Sequence, residues 1–110
     1  MWVVTEKQDN PRKRAYCQAN AIVYTVIEDD DMKGFPVQLI NDGEPSSKKK
    51  VFVTGCYDWF HSGHVRFFEE TSSLGNLYVV VGHDENVRRL KGNGHPMFPE
   101  DERLYMVGSI

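Results

Sequence analysis

The stretch from Val51 to His64, VFVTGCYDWFHSGH, constrains this chain more than any other. Its apolar, mostly β-branched opening, Val51-Phe52-Val53-Thr54, predicts a strand. Gly55 then gives the chain a turn, a polar and aromatic loop follows, and His61-Ser62-Gly63-His64 leads into an amphipathic run. Strand, glycine turn and helix start in that order form the layout with which α/β proteins seat phosphates. Free backbone N–H groups and the positive end of the helix dipole both face the anion there.

The residues that follow continue the alternation of a parallel α/β unit. From Gly63 to about Ser73, Val65, Phe67, Phe68 and Leu74 mix with Arg66, Glu69 and Glu70, which predicts a helix with one buried stripe, ended at Gly75-Asn76. Leu77-Tyr78-Val79-Val80-Val81 is almost wholly apolar and reads as a strand buried on both faces. Asp84 is placed to cap a short helix through Leu90, Lys91 to Pro96 reads as a flexible loop, and a last helix begins near Pro99 with Glu100, Asp101 and Glu102 in its first turn. Leu104 and Val107 are its expected core residues. Parallel strands joined by right-handed crossovers put the Gly55–His64 loop at the carboxyl edge of the sheet, where such folds bind ligands.

Residues 1–50 differ in character and read as an N-terminal extension and linker. Ile22 to Ile27 is a strand by composition, and Phe35 to Ile40 a second one closed by Asn41-Asp42-Gly43, so a hairpin over 22–40 is expected. Asn10-Pro11-Arg12-Lys13-Arg14 reads as a basic, solvated loop. Asp29, Asp30 and Asp31 read as a solvated turn, because they lack the alternate spacing and the glycine of a calcium loop. A chain of 110 residues supports one small domain, and its net charge of −3 gives no global attraction for nucleic acid or anionic membrane. Two cysteines, Cys17 and Cys56, make no disulfide framework, and no apolar run reaches membrane-spanning length. A cytoplasmic protein is the expectation.

The spacing of His61 and His64 puts both imidazoles on one face of a first helical turn, with Gly63 between them allowing close approach of a ligand or a neighbouring backbone. Two imidazoles beside a helix start suit negative charge developing on a phosphorus under attack. The alternatives are a pair of ordinary hydrogen-bonded histidines, or a metal site, which lacks a local third ligand. Read the same way, Asp58 is a turn or cap residue, Lys91 a solvated loop cation, and Cys56 a small packing residue.

Gly55-Cys56-Tyr57-Asp58 with His61, Gly63 and His64, then Asp84-Glu85, Lys91-Gly92 and Glu102-Arg103-Leu104-Tyr105-Met106-Val107, resembles the HxGH nucleotidyltransferases. Among these it is most similar to the cytidylyltransferases that act on phosphoethanolamine, phosphocholine or glycerol phosphate. The resemblance covers roughly residues 51–110 and implies a Rossmann-like parallel βαβ core. It implies that His61 and His64 stabilise the transition state at the nucleotide α-phosphate, and that Lys91 contacts phosphates during transfer. Thr54, Gly55, Cys56, Tyr57, Asp58 and Gly63 are implied to surround the triphosphate, and Arg103 to make a phosphate or structural contact. The implied reaction joins CMP from CTP to a phosphorylated alcohol with loss of pyrophosphate, with Mg²⁺ on the triphosphate. Members of the family continue into further strands and helices, so an incomplete core, the first half of a catalytic domain, is expected. Its unpaired apolar strand predicts a homodimer. Two other readings stand beside this one: a non-catalytic nucleotide- or phosphate-binding module, and a related adenylyltransferase.

Overall fold

The structure, a computed structural model, describes residues 1–36 and 47–110. It divides into two compact units, Met1–Gly34 and Phe35–Ile110. The first unit is itself a small parallel βαβ arrangement. Strand β1 (Trp2–Thr5) leads through a 3-10 turn to helix α1 (Pro11–Ala19) and then to strand β2 (Tyr24–Ile27), with Trp2 opposite Tyr24 and Thr5 opposite Ile27. Val4 and Cys17 are its buried residues.

The basic segment expected to be a loop is therefore the start of a helix. Asn10 caps it by accepting the Lys13 N–H at 3.0 Å, and Pro11 occupies the first helical position, where its missing N–H costs nothing. Asp9 holds Arg14 through a two-pronged ion pair of 2.9 and 2.6 Å and also accepts the Tyr24 hydroxyl at 3.0 Å, which ties helix to strand. Asp29–Met32 is a 3-10 turn with all its side chains outside the core. The hairpin partner expected for β2 lies, beyond Pro36, outside the described residues; among those described, β2 pairs with β1.

The second unit is the expected α/β element. Strand β3 (Lys50–Gly55) and strand β4 (Asn76–Val81) pair in parallel from Lys50 opposite Asn76 to Gly55 opposite Val81, with helix α2 (Ser62–Ser72) between them in the chain. A Cβ at Gly75 would collide with the Lys49 carbonyl, so the turn into β4 requires glycine. Helices α3 (Asp84–Lys91) and α4 (Glu100–Gly108) follow. His83, not Asp84, caps α3, its ring accepting the Glu85 N–H at 3.2 Å.

One face of the sheet carries Val51, Val53, Leu77, Val79 and Val81, all partly covered. The other carries Lys50, Phe52, Tyr78 and Val80, where the Phe52 and Tyr78 rings stack at 5.0 Å. Phe52 is 65% exposed and Val80 51%, so β4 is not buried on both faces as its composition suggested. Among the described residues it has a neighbour on one side only. Because the two strands run in register, the ends of β3 and β4 emerge together at the carboxyl edge.

Candidate active site

The backbone leaves β3 at Gly55 and turns sharply. Tyr57 adopts φ +52, the left-handed region that a bulky residue enters only when its surroundings hold it. Its ring folds back over Gly55, where a Cβ would stand 2.7 Å from Tyr57 Cζ, and it packs edge-on to His64 and Phe68 at 5.3 Å each. Burial raises the Tyr57 phenol above its ordinary pKa.

The two histidines are oriented by the backbone of their own helix start. His61 caps α2, its Nδ1 accepting the Gly63 N–H at 3.0 Å, and His64 Nδ1 accepts the His61 N–H at 3.2 Å. With Nδ1 an acceptor in both neutral rings, the proton of each sits on Nε2, which leaves two N–H donors on the far side of the imidazoles. The rings stack at 4.0 Å, and His64 also lies parallel to Phe60 at 5.3 Å. A Cβ at Gly63 would come within 2.8 Å of His61 Cε1, so glycine is what lets the first ring lie back on the helix. Burial, and then the electrostatic influence of His61 and of the Lys91 ammonium, hold His64 below its ordinary pKa.

These groups line a cavity of about 450 Å³ together with Thr54, Gly55, Cys56, Tyr57, Asp58 and Lys91. Trp59 and Phe67 also line it, and neither stood out in the sequence. Trp59 is 60% exposed, with Phe98 against its edge at 6.0 Å. Its place between Asp58 and His61, on a loop too short to bury a large ring, was the available signal. Lys91, the last residue of α3, reaches the same space. Gly63 shapes the site without lining the cavity.

Two buried charges hold the loop in place. The Asp58 carboxylate, 3% exposed, accepts Met97 N–H at 2.8 Å and Phe98 N–H at 2.9 Å, with His95 Nδ1 at 3.3 Å. Burial pushes this carboxyl up, and the Phe98 and Met97 amides together with His95 outweigh that and hold it below its ordinary value. Arg103 is wholly buried. It donates from Nε to Phe98 O at 2.9 Å, from Nη1 to Cys56 O at 2.6 Å and from Nη2 to Asp84 Oδ1 at 2.6 Å. The structure thus places Arg103 beneath the loop, outside the cavity lining, with each guanidinium nitrogen engaged by the protein.

The arrangement is a donor-rich cavity at the carboxyl edge of a parallel sheet, with Lys91 as a cation at its wall. It is suited to a phosphorylated ligand, and among the described residues no nucleophile is hydrogen-bonded to a base there. No group of three or more His, Cys, Asp or Glu that would hold a metal ion exists among the described residues, and no helix among them is long and apolar enough to cross a membrane.

Comparison with known proteins agrees with that geometry. A family described as cytidylyltransferase-like matches residues 52–110. The bifunctional protein HldE of Nitratiruptor sp. is 37% identical over 76 residues, covering 67% of this chain and 16% of the relative. That of Vibrio cholerae is 33% identical over 88 residues, covering 79% of this chain and 18% of the relative. The chain therefore spans under a fifth of the length of these relatives. No solved structure matches it.

Proposed function

We propose that this chain, which belongs to the cytidylyltransferase-like family, carries the phosphate-handling part of a nucleotidyltransferase site that moves CMP from CTP to a phosphorylated alcohol. The observation that carries this reading is that His61 and His64 each use Nδ1 to accept a backbone N–H, which assigns the ring proton to Nε2 and makes both rings donors in the cavity that Lys91 also lines. In the reaction, a phosphate oxygen of the acceptor attacks the α-phosphorus of the nucleotide. A new P–O bond forms as the bond to the β-phosphate bridge oxygen breaks, and pyrophosphate departs with that electron pair. Negative charge grows on the non-bridging and leaving oxygens, so fixed donors and cations lower the barrier by being in place beforehand. The attacking phosphate is already an anion and needs no base. Asp58 is not offered as one, since its oxygens serve the Met97 and Phe98 amides.

Mg²⁺ is proposed to come with the triphosphate. The described residues supply no ligand set for it, and no step is assigned to it. Phosphate chemistry is common to all nucleoside triphosphates, so an adenylyl donor is the second reading. The relatives named above are bifunctional HldE proteins and not the phosphoethanolamine or phosphocholine cytidylyltransferases, which supports this second reading of the donor. Acceptors of the phosphoethanolamine, phosphocholine or polyol phosphate type belong to the same proposal, as does action in the cytoplasm.

Isothermal titration with CTP and with ATP, each with Mg²⁺, beside a His61→Ala/His64→Ala double variant, tests the reading. The expected result is binding of CTP that the double variant loses, followed by formation of a CDP-alcohol from the acceptors named. Preferential binding of ATP would move the donor to the adenylyl class. A folded chain that binds neither nucleotide would leave a non-catalytic module and defeat the proposal.

A further inference from the structure

We infer that Arg103 is a positioning residue, which locks the helix bearing Lys91 to the loop bearing the histidine pair and so fixes the lysine over the cavity. The inference rests on the reading of that cavity as a phosphate site.

Three segments converge on one guanidinium. Cys56, whose carbonyl takes Nη1, lies in the turn that leads into Tyr57 and the histidine loop. Asp84, whose carboxylate takes Nη2, is the first residue of α3. Phe98, whose carbonyl takes Nε, begins the approach to α4 and is itself held from the other side by Asp58. A planar fork with donors in fixed directions can satisfy three such acceptors at once, which an ammonium cannot do. Asp84 and Lys91 sit at opposite ends of α3, two helical turns or about 10 Å apart. Holding the first end against the Cys56 turn therefore sets where the second end projects. The junction is reinforced by the Gly82 N–H to Gly55 O bond of 2.9 Å and by Val87, 1% exposed, packed over Gly82.

This role differs from that of a buried arginine that only stabilises the fold, because it predicts that the contribution of Lys91 depends on Arg103. The test is a double-variant cycle on the full chain, with inorganic tripolyphosphate as a probe that carries no base. Lys91→Met is expected to weaken binding about tenfold, the usual order for one charge-assisted contact to phosphate. Arg103→Lys, which reaches one of the three partners, should weaken binding nearly as much. In the Arg103→Lys background, Lys91→Met should then change the affinity by no more than about twofold. Asp84→Asn releases only the α3 arm, and it supplies the same comparison should Arg103→Lys fail to fold. A tenfold Lys91→Met effect that persists in folded Arg103→Lys or Asp84→Asn protein overturns the inference.

A ligand-free readout separates this result from failure of the proposed function. The charge of Lys91 is one of the influences acting on His64, after burial and His61. In the wild-type background Lys91→Met should raise the titration midpoint of the His64 imidazole followed by NMR, and in the Asp84→Asn background it should leave it unmoved. If the wild-type chain binds no tripolyphosphate, the phosphate reading falls and the titration alone decides. An equal rise in both backgrounds refutes the positioning role.

Discussion

A tyrosine at φ +52 with a hydroxyl that has no hydrogen-bond partner combines two local costs at one position. Both are tolerated because the ring fills the space over Gly55 and gives His64 and Phe68 an edge to pack against. Phenylalanine would keep the packing and remove the unpartnered hydroxyl. Tyr57→Phe is therefore expected to raise the stability of the folded chain by about 1 kcal/mol, the order of cost of a buried unpaired polar group. Chemical denaturation of the two proteins checks this. A loss of stability would mean that the phenol has a partner in solution. Arg103 teaches the complementary lesson about legibility. Its match to the family motif marked it in the sequence, yet a phosphate contact and a structural contact read identically there. Only its three protein acceptors, 5, 19 and 47 residues away in the chain, separate the two. Long-range partners of a buried charge leave no periodic trace in the sequence.

At the scale of elements, β3, α2, β4 and α4 were readable because apolar periodicity and glycine or acidic end signals agree in each. Helix α1 was not, because Pro11-Arg12-Lys13-Arg14 has no apolar stripe and its charges dominate its appearance. The Asn10 cap followed by Pro11 was the signal present and outweighed. The start of α2 carries a pH dependence that follows from its geometry. Burial, then His61 and Lys91, depress the His64 pKa in the fold, so the ring is held neutral. The associated stability is present above the unfolded value and is lost as pH falls through the folded one. A further proton would have to enter at Nδ1, which accepts the His61 N–H, so an anion meets His64 as a neutral Nε2–H donor. Nucleotide or tripolyphosphate binding should therefore gain nothing from the ionisation of this ring as pH falls from about 8 to 6. Calorimetry in buffers of different ionisation enthalpy checks this by comparing the wild-type chain with His64→Gln, which should show the same dependence on the buffer. Proton uptake that His64→Gln abolishes would show that the ring is charged in the complex.

At the scale of the whole molecule, a parallel sheet with two strands among the described residues is an unusual object, because parallel sheets occur almost only with both faces covered. In the Phe35–Ile110 unit, Val51, Val53, Leu77 and Val79 face the partly covered side, while the stacked Phe52 and Tyr78 and the neighbouring Val80 do not. The sequence pattern alone could not reveal this asymmetry, since Tyr78 and Val80 make the second side of β4 apolar too and the pattern records composition, not what arrives to cover it. An apolar face of this kind favours burial at roughly 25 cal/mol per Å² removed from water, which drives association unless another surface reaches it first. We therefore expect the chain to self-associate through this face, consistent with the homodimer proposed from its sequence. Sedimentation velocity should show a concentration-dependent dimer, and Phe52→Glu/Val80→Glu should return it to monomer while leaving the cavity at the carboxyl edge intact. Both substituted side chains are already exposed, so the loss of association would not come from loss of the core. A wild-type chain that stays monomeric at high concentration would assign the open face to a different covering surface.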